Sequence, residues 1–337
     1  MTRHAGVEEV CVVVPVHDEE ETIPTLVDRL LKTPIPAPFR LARIVLIDDG
    51  SRDRSWAVMA EIAASHEQVD ALRLRRNFGK ATALQTAIDQ ITEPIIVTMD
   101  ADLQDDPDEL AKLLAALTAD VDLVSGWKQN RQDPLSKTLP SKLFNKITSL
   151  ISGLPLHDFN CGYKVYRREI FVGVQLYGEL HRYVPVLAHA LGYRVAEVPV
   201  RHHPRQHGRS KYGAGRLLKG LIDLLTVLML TRFAQRPAHL FGGIGVTLGG
   251  VGFAILIYLT GFKLITGADI GQRPLLQLGI LLSIIGVQVL LFGVLAELIV
   301  SRRRPHNGES LIRERIGHDR RTREPAGADG LTHERAG

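Results

Sequence analysis

The chain has 337 residues, of which 45% are hydrophobic and 23% are charged, with a formal net charge of +4. This length and composition predict about two domains with an ample hydrophobic core. The two cysteines, Cys11 and Cys161, exclude a disulfide framework or a thiolate metal cage, which agrees with a reducing compartment. The basic residues cluster beside long apolar segments, and this placement favours anionic lipid headgroups over nucleic acid as the partner.

The first 125 residues alternate short apolar runs with helical patterns, which is typical of β-α-β units on a mostly parallel, Rossmann-like sheet. The predicted strands are Val10 to Val14, Arg43 to Ile47, Ala71 to Leu74, Ile95 to Met99 and Asp122 to Ser125. The predicted helices between them are Glu20 to Leu31, Arg54 to Ala64, Lys80 to Ile91 and Pro107 to Leu117. The fold class expected for this part of the chain is therefore α/β.

Acidic residues follow two of the predicted strands directly. Asp48 and Asp49 come after the second strand, and Asp100 and Asp102, with Gln104 beyond them, come after the fourth. Ligands of open α/β sheets sit at the carboxyl ends of the strands, so these groups are expected to lie close together. Their oxygen atoms suit a hard cation that also binds phosphate. Two acidic residues close in sequence are common by chance, so a single such motif is weak evidence for a metal site. A helix cap, the structural alternative, uses only one acidic residue.

Two amphipathic segments lie beyond the predicted sheet, at residues 134–147 and 216–233. Each combines basic residues with an apolar side, a pattern that predicts helices lying on the membrane surface. Ordinary surface helices packed on the sheet would show the same pattern, and this alternative stays open.

Two apolar runs follow, at residues 240–261 and 275–300, and each is long enough to cross a membrane. Arginines flank the pair on both outer sides, which predicts cytoplasmic flanks and an outward loop. Glycines recur along each run, which predicts close packing of the hairpin or oligomerisation. The acidic N-terminal residues lack an apolar core, so we expect no cleavable signal peptide and a cytosolic first part of a multi-pass protein of the plasma or inner membrane.

Four regions are therefore expected. Residues 1–212 form a cytosolic catalytic domain, 213–236 an interfacial juxtamembrane helix, and 237–301 the two membrane helices. The tail at 302–337 is rich in Arg, Glu and Gly and is expected to be disordered.

Three motifs follow one another along the chain, at residues 12–19 (VVVPVHDE), 47–51 (IDDGS) and 100–104 (DADLQ). Together they resemble glycosyltransferase family 2. Residues 76–80 (RNFGK), 160–164 (NCGYK) and 205–211 (RQHGRSK) narrow the resemblance to the branch that acts on polyprenyl phosphates, which includes dolichol-phosphate mannose synthase and bacterial undecaprenyl-phosphate hexosyltransferases. The resemblance implies a GT-A fold and a nucleotide-sugar donor.

The resemblance also assigns roles to residues of the donor site. It implies that Pro15, Glu19 and Asp49 hold the base and ribose, and that Lys80 lies near the diphosphate. Asp100, Asp102 and Gln104 would hold Mg²⁺ or Mn²⁺, with Asp102 counted as catalytic. Arg205, Ser210 and Lys211 match a loop motif that closes over donor and acceptor phosphates, with Arg205 counted as catalytic and Ser210 and Lys211 as donor-binding. This chain has His17-Asp18 where the family usually has Tyr-Asn, which leaves the nucleotide base open.

The acceptor side is less defined by sequence. A phosphate monoester with a second pKa of about 6 is largely dianionic at pH 7, so it needs positioning cations more than a strong base. Arg131, Lys137 and Lys142 are the candidates to hold this phosphate, although each also fits a solvated or headgroup-binding cation. Asp158 is a candidate catalytic acid on this side, and a structural turn cap is an equal alternative.

These observations predict an inverting glycosyltransferase that moves a hexose, glucose or mannose, from a UDP- or GDP-sugar to a polyprenyl phosphate. A processive polysaccharide synthase and a non-catalytic nucleotide-sugar-binding scaffold are the alternatives. The synthase class carries a Gln-x-x-Arg-Trp motif, which neither Trp56 nor Trp127 completes. A scaffold would have lost the metal acids or Arg205, and all are present. We expect a homo-oligomer and no nucleic acid partner.

Overall fold

The computed structural model describes residues 6–129, 145–203, 229 and 237–302. Seven strands form one sheet: β1 Glu8–Val16, β2 Phe39–Asp48, β3 Val69–Arg73, β4 Ile95–Thr98, β5 Leu123–Lys128, β6 Lys164–Arg167 and β7 Val195–Val200. Their order across the sheet is β3-β2-β1-β4-β6-β5-β7. Only β6 among these strands is antiparallel to its neighbours β4 and β5. The other six therefore present their carboxyl ends at one edge of the sheet.

Helices cover both faces of this sheet. They are α1 Ile23–Lys32, α2 Ser55–Ser65, α3 Lys80–Ile88, α4 Leu110–Ala116, α5 145–152, α6 Ile170–Gly173 and α7 Val184–Ala190. One core joins α1, α2 and α4 to the sheet, and a second core joins α3, α6 and α7 to its other face. Successive residues of β1, such as Val12 and Val13, belong to opposite cores because side chains point alternately to the two faces of a strand. The expected α/β architecture is confirmed.

The element bounds differ from the predictions mainly at the ends. Helix α1 begins at Ile23 rather than Glu20, and the Glu20 N–H, in the preceding loop, donates to Asp53 Oδ2 at 3.2 Å. Helix α3 ends at Ile88, where the next residues close into a turn. A 3-10 turn at Pro107–Glu109 precedes α4. Strands β6 and β7 were not predicted, since their short runs lie among irregular segments.

Two long helices end the described part of the chain, α8 Pro237–Thr266 and α9 Pro274–Arg302. Both exceed the predicted spans and are long and apolar enough to cross a membrane. Most of their large apolar side chains are exposed, among them Phe253, Ile257, Leu291 and Phe292. A surface of this extent is typical of contact with lipid or with another protein rather than with water.

Glycines let α8 and α9 pack closely. A Cβ on Gly245 would lie 2.7 Å from the Gly286 carbonyl oxygen, and one on Gly252 would lie 2.6 Å from Ser283 N. A Cβ on Gly293 would lie 2.8 Å from Phe241 Cβ and 3.5 Å from Gly242 N. The predicted close packing within the hairpin is therefore found. The Ala238 N–H at the start of α8 donates to Glu297 Oε2 of α9 at 3.1 Å.

Several predicted features lie outside the described residues. These are the segment 216–233 apart from Met229, the tail beyond residue 302, and the larger part of the segment 134–147. The latter's last residues, from Asn145, begin helix α5.

Candidate active site

The loop after β4 carries the acidic motif at the carboxyl edge of the sheet. Met99 extends the pairing with β1 through a 3.2 Å bond to the Val13 carbonyl, and the loop starts at Asp100. Leu103 has a φ of +57°, an unusual left-handed conformation for leucine, and its side chain is buried in the core. The Gln104 N–H donates to Asp102 Oδ1 at 3.2 Å. A buried leucine and a local side-chain bond thus shape the turn that carries both carboxylates.

Lys80 is the side chain paired with Asp100. It begins α3, follows Gly79 with a φ of +92°, and its ammonium hydrogen-bonds to Asp100 Oδ1. Burial disfavours the charge on Asp100, but the ammonium groups of Lys80 and then Lys128 outweigh this, and the pKa of the carboxyl lies well below its usual range. Asp100 is therefore held as a carboxylate.

The opposite side of Asp100 is closed by the NCGYK segment. A Cβ on Gly162 would lie 2.8 Å from Asp100 Oδ2 and 2.9 Å from Oδ1. The Gly162 carbonyl accepts a 2.8 Å hydrogen bond from Thr98 Oγ1, which ties the segment to β4. A side chain at this position would force the Asp100 carboxylate to shift, so the glycine of this motif maintains the position of Asp100.

The acids after β2 organise the neighbouring loop. Asp49 is buried and accepts hydrogen bonds from the backbone N–H groups of Phe78 at 2.7 Å and Gly79 at 3.0 Å. Asp48 accepts from Ser51 N at 2.7 Å. The two acidic strand ends are therefore linked, because Asp49 fixes the loop that leads directly to Lys80.

Pro15 and Glu19 lie at the end of β1 and in the loop that follows. Pro15 is paired with Ile47 of β2, and the Glu19 N–H donates to Ser55 Oγ at 2.9 Å. Asp18, at a φ of +55°, accepts from Arg52 N at 2.8 Å. These contacts join the loops after β1 and β2 beside the carboxyl edge of the sheet.

Asp158 lies in the segment before β6 and is 3% exposed. Its side chain accepts from Asn160 N at 3.0 Å, and its own N–H donates to Glu197 Oε1 at 2.9 Å. The bond from Asn160 N caps a turn, which is the structural role expected as the alternative for Asp158.

Three basic residues near Asp100 were not assigned roles from the sequence. Lys128 pairs with buried Asp105 at 2.8 Å; burial opposes its charge, but Asp105 outweighs this and raises the pKa of Lys128. Lys164 is buried and donates to the Cys161 carbonyl, and burial lowers its pKa to about 8. Burial, followed by the charge of Lys80, holds the pKa of His181 well below its usual value. Lys164 lies in the motif at residues 160–164, and the segment 181–185, which begins at His181, also resembles a family segment near the sugar pocket.

A divalent cation fits the oxygen groups of this site. Within the ranges that the structure describes, no cluster of three or more His, Cys, Asp or Glu side chains has metal-binding geometry. Mg²⁺ commonly binds through one or two carboxylates while substrate phosphates and water complete its shell. Asp100, which is held ionised, and Asp102, two residues further on, match this limited set of carboxylate ligands. The side-chain amide of Gln104, the third predicted ligand, lies 3.5 Å from the His203 carbonyl oxygen.

The remaining predicted site residues fall outside the described part of the chain. They are the loop residues Arg205, Ser210 and Lys211 and the acceptor-side cations Arg131, Lys137 and Lys142. The site described above therefore consists of the predicted donor residues and Asp158.

Comparisons with known proteins agree with this geometry. A family profile described as Glycosyl transferase family 2 matches residues 11–173. Dodecaprenyl-phosphate galacturonate synthase of Rhizobium johnstonii is 40% identical over 298 residues, covering 86% of this chain and 87% of that protein. Undecaprenyl-phosphate 4-deoxy-4-formamido-L-arabinose transferase of Aeromonas hydrophila subsp. hydrophila is 33% identical over 301 residues, covering 88% and 90%.

Solved structures share the fold at low sequence identity. Mannosyl-3-phosphoglycerate synthase from Rubrobacter xylanophilus superimposes with a TM-score of 0.52 at 16% identity, covering 66% of this chain and 74% of that one. Glucosyl-3-phosphoglycerate synthase from Mycobacterium tuberculosis, solved with Mn²⁺, UDP and its product, gives 0.51 at 16% identity, covering 66% and 79%. The α/β domain thus has the expected GT-A-like fold, and the chain belongs to glycosyl transferase family 2, in the branch of polyprenyl-phosphate glycosyltransferases.

Proposed function

We propose that this protein transfers a hexose from a nucleotide-diphosphate sugar to a polyprenyl phosphate, with inversion at the anomeric carbon. The observation that carries the proposal is the Lys80–Asp100 pair, closed on one side by Gly162, at the sheet edge that also bears Asp102. An ionised carboxylate beside an ammonium is the charge pattern required to handle a metal-bound diphosphate.

The donor half of the site contains the proposed metal ligands. Asp100 and Asp102, with Gln104, would hold Mg²⁺ or Mn²⁺, and the bound cation would neutralise charge on the departing diphosphate. Asp100 is held ionised and ready to coordinate, and Lys80 is placed to turn from Asp100 to a phosphate oxygen. The fold neighbours solved with Mn²⁺ and UDP share only architecture with this chain, so the metal proposal rests on these carboxylates.

The nucleotide is proposed to lie along the loops after β1 and β2. Pro15 and Glu19 would contact the base and ribose, and Asp49 would contribute from the end of β2. Both carboxylate oxygens of Asp49 already accept backbone N–H bonds, so its direct contact with a nucleotide would use their remaining lone pairs. UDP and GDP both remain candidates for the donor.

The acceptor phosphate is proposed to attack as a dianion, which requires no strong general base. Asp158 would orient the acceptor or the sugar, and Arg131, Lys137 and Lys142 would hold the lipid phosphate. Arg205, Ser210 and Lys211 would bind phosphate groups of the donor and acceptor. These six basic and hydroxyl residues are assigned from their sequence motifs and charges alone.

The transferred sugar is proposed to be glucose or mannose, with galacturonate as a second candidate. The galacturonate synthase named above is 40% identical, and this similarity favours testing a hexuronate beside the neutral hexoses. The 33% identical transferases act on an amino-sugar derivative of arabinose, so the donor panel should include that class as well.

The membrane arrangement follows from α8 and α9. We propose that they cross the plasma or inner membrane as a hairpin, with residues 1–212 cytosolic, 213–236 at the interface and 302–337 as a cytosolic tail. The arginines outside both spans and the apolar exposed surface of the helices support this orientation. The same surface is compatible with a homo-oligomer.

A donor panel tests the proposal. Membranes carrying the protein are incubated with undecaprenyl phosphate and labelled UDP- and GDP-sugars, including glucose, mannose, galacturonate and an amino sugar. A lipid-linked sugar that is released by mild acid supports a monophosphate linkage and identifies the donor. If none of the donors gives a lipid-linked sugar, the proposal is wrong.

A further inference from the structure

A histidine beside Asp158 is held by a nearly buried carboxylate that the donor site does not use. Glu197 on β7 has a side chain that is 9% exposed, whereas the side chain of His157 is 64% exposed. Glu197 accepts hydrogen bonds from the backbone N–H groups of His157 at 3.0 Å and Asp158 at 2.9 Å. The carboxylate also contacts His157 Nδ1 at 2.7 Å.

This contact fixes the chemistry of the imidazole. An ionised carboxylate can only accept, so Nδ1 of His157 carries the proton that the hydrogen bond requires. The second ring nitrogen, Nε2, is then the group available for another partner. The ring itself is held by Trp127, which stacks on it with centroids 4.2 Å apart and planes 15° apart.

The location of His157 corresponds to the acceptor side. Trp127 lies near the carboxyl end of β5, at the same sheet edge as Asp100, and Asn145 Nδ2 of α5 donates to the His157 carbonyl at 2.7 Å. Trp127 and Asn145 flank the segment in which the acceptor-side cations are predicted. Gly162, which touches Asp100, lies five positions after His157, so the chain between the two spans at most about 18 Å.

A purely structural histidine would not need this arrangement. The backbone N–H bonds to Glu197 already anchor the 157–158 dipeptide, and the exposed imidazole adds little buried surface. Nε2 has no hydrogen-bond partner among the residues that the structure describes, and a fixed ring with one such nitrogen is the usual form of a histidine that binds or relays a proton. Resting on the function proposed above, we propose that Nε2 of His157 hydrogen-bonds the phosphate of the polyprenyl-phosphate acceptor.

The proton balance of this contact is simple. If the acceptor arrives as the monoanion, its proton moves to Nε2; if it arrives as the dianion, a protonated imidazole donates Nε2–H to it. In both cases an oxygen of the dianionic phosphate attacks the anomeric carbon. The bond from that carbon to the diphosphate oxygen breaks, and its electron pair leaves with the nucleotide diphosphate. The proton stays on Nε2, and Nδ1–H stays bonded to Glu197.

Binding of a short-chain lipid phosphate tests the contact without requiring transfer. Farnesyl phosphate is titrated into the full-length protein in detergent by calorimetry, with farnesol and with UDP plus Mn²⁺ as separate arms. We expect His157→Gln to weaken farnesyl phosphate binding about 10-fold or more, since a charge-assisted bond to phosphate is lost. Affinity for UDP should stay within twofold, and His157→Lys, which restores a cation, should recover most of the loss.

The control is His189→Gln, an exposed histidine at the end of α7, which should leave both affinities unchanged. Wild-type affinity of His157→Gln for farnesyl phosphate would overturn the proposal, and so would an equal loss for UDP or for farnesol. If His157→Gln does not fold, His157→Lys decides, because binding no better than farnesol contradicts a phosphate contact. A protein that binds farnesyl phosphate through His157 but transfers no sugar would contradict the proposed function alone.

Discussion

Lys80 and Asp100 form an ion pair at the carboxyl end of β4, although they are 20 residues apart and Lys80 begins α3 whereas Asp100 lies in the loop after β4. Asp49 makes the pair possible, because its carboxylate holds the backbone of Phe78 and Gly79 immediately before Lys80. Gly162 then confines Asp100 from the other side. The ammonium of Lys80 thus neutralises the carboxylate that we propose as a metal ligand.

Replacing Lys80 by methionine should separate metal binding from transfer. Without this ammonium, Asp100 loses the cation that is hydrogen-bonded to it, although Lys128 stays nearby, so Mn²⁺ should bind the donor-free protein several-fold more tightly. Transfer should fall by about 100-fold, because a cation at the diphosphate is lost. Electron paramagnetic resonance titration of Mn²⁺ and initial rates measure the two effects. Weaker Mn²⁺ binding in Lys80→Met would show that Lys80 does not compete for Asp100.

Adding a methyl group at Gly162 should displace Asp100. The new Cβ would lie 2.8 Å from Asp100 Oδ2, which is closer than such contacts occur, so the carboxylate must shift. We expect about a 10-fold or greater loss of Mn²⁺ affinity in Gly162→Ala, as for changes that disturb the support of a ligand. Gly173→Ala in α6 is the control, since its Cβ meets only the end of the Leu191 side chain at 3.0 Å. Equal metal affinity in both variants would rule out the predicted clash.

The ionisation of buried Lys164 makes the free energy of unfolding depend on pH. Burial lowers its pKa from 10.5 to about 8, so between these values the unfolded state binds more protons and stability rises with pH. Burying the charge therefore costs stability at pH 7, by at most about 3 kcal/mol. Lys164→Met should melt at a higher temperature than wild type at pH 7, in EDTA and without donor. This advantage should shrink between pH 8 and 10.5, and a constant difference would contradict the lowered pKa.

The hairpin offers a matched pair of glycines. A Cβ on Gly252 would lie 2.6 Å from Ser283 N and Oγ, whereas nothing lies within 4 Å of a Cβ on Gly250. Both substitutions to leucine change helix propensity equally, so their difference reports the contact between α8 and α9. Gly252→Leu should destabilise the detergent-solubilised protein by about 1–3 kcal/mol relative to Gly250→Leu. Equal melting temperatures would indicate that the two helices do not pack as described.

The sequence predicted the sheet edge and its acids well, because short continuous apolar runs that end in polar residues define both. It failed for β6, a four-residue strand whose partners β4 and β5 are far along the chain. It also assigned Asp49 to the nucleotide without anticipating that its carboxylate holds the 78–80 loop. Contacts such as Lys128 with Asp105 and His157 with Glu197 depend on strand order, which spacing along one chain does not reveal.

The most direct test of the central claim is the metal dependence of transfer in an Asp102 variant. Purified wild type, Asp102→Asn and the control Asp89→Asn, an exposed acid at the end of α3, are assayed with undecaprenyl phosphate and the active labelled donor. Wild type and Asp89→Asn should form lipid-linked sugar with Mg²⁺ or Mn²⁺ and lose it in EDTA. Asp102→Asn should be slower by about 100-fold or more at saturating metal. Transfer by Asp102→Asn at the wild-type rate, or undiminished transfer in EDTA, would contradict the proposed metal-bound donor site.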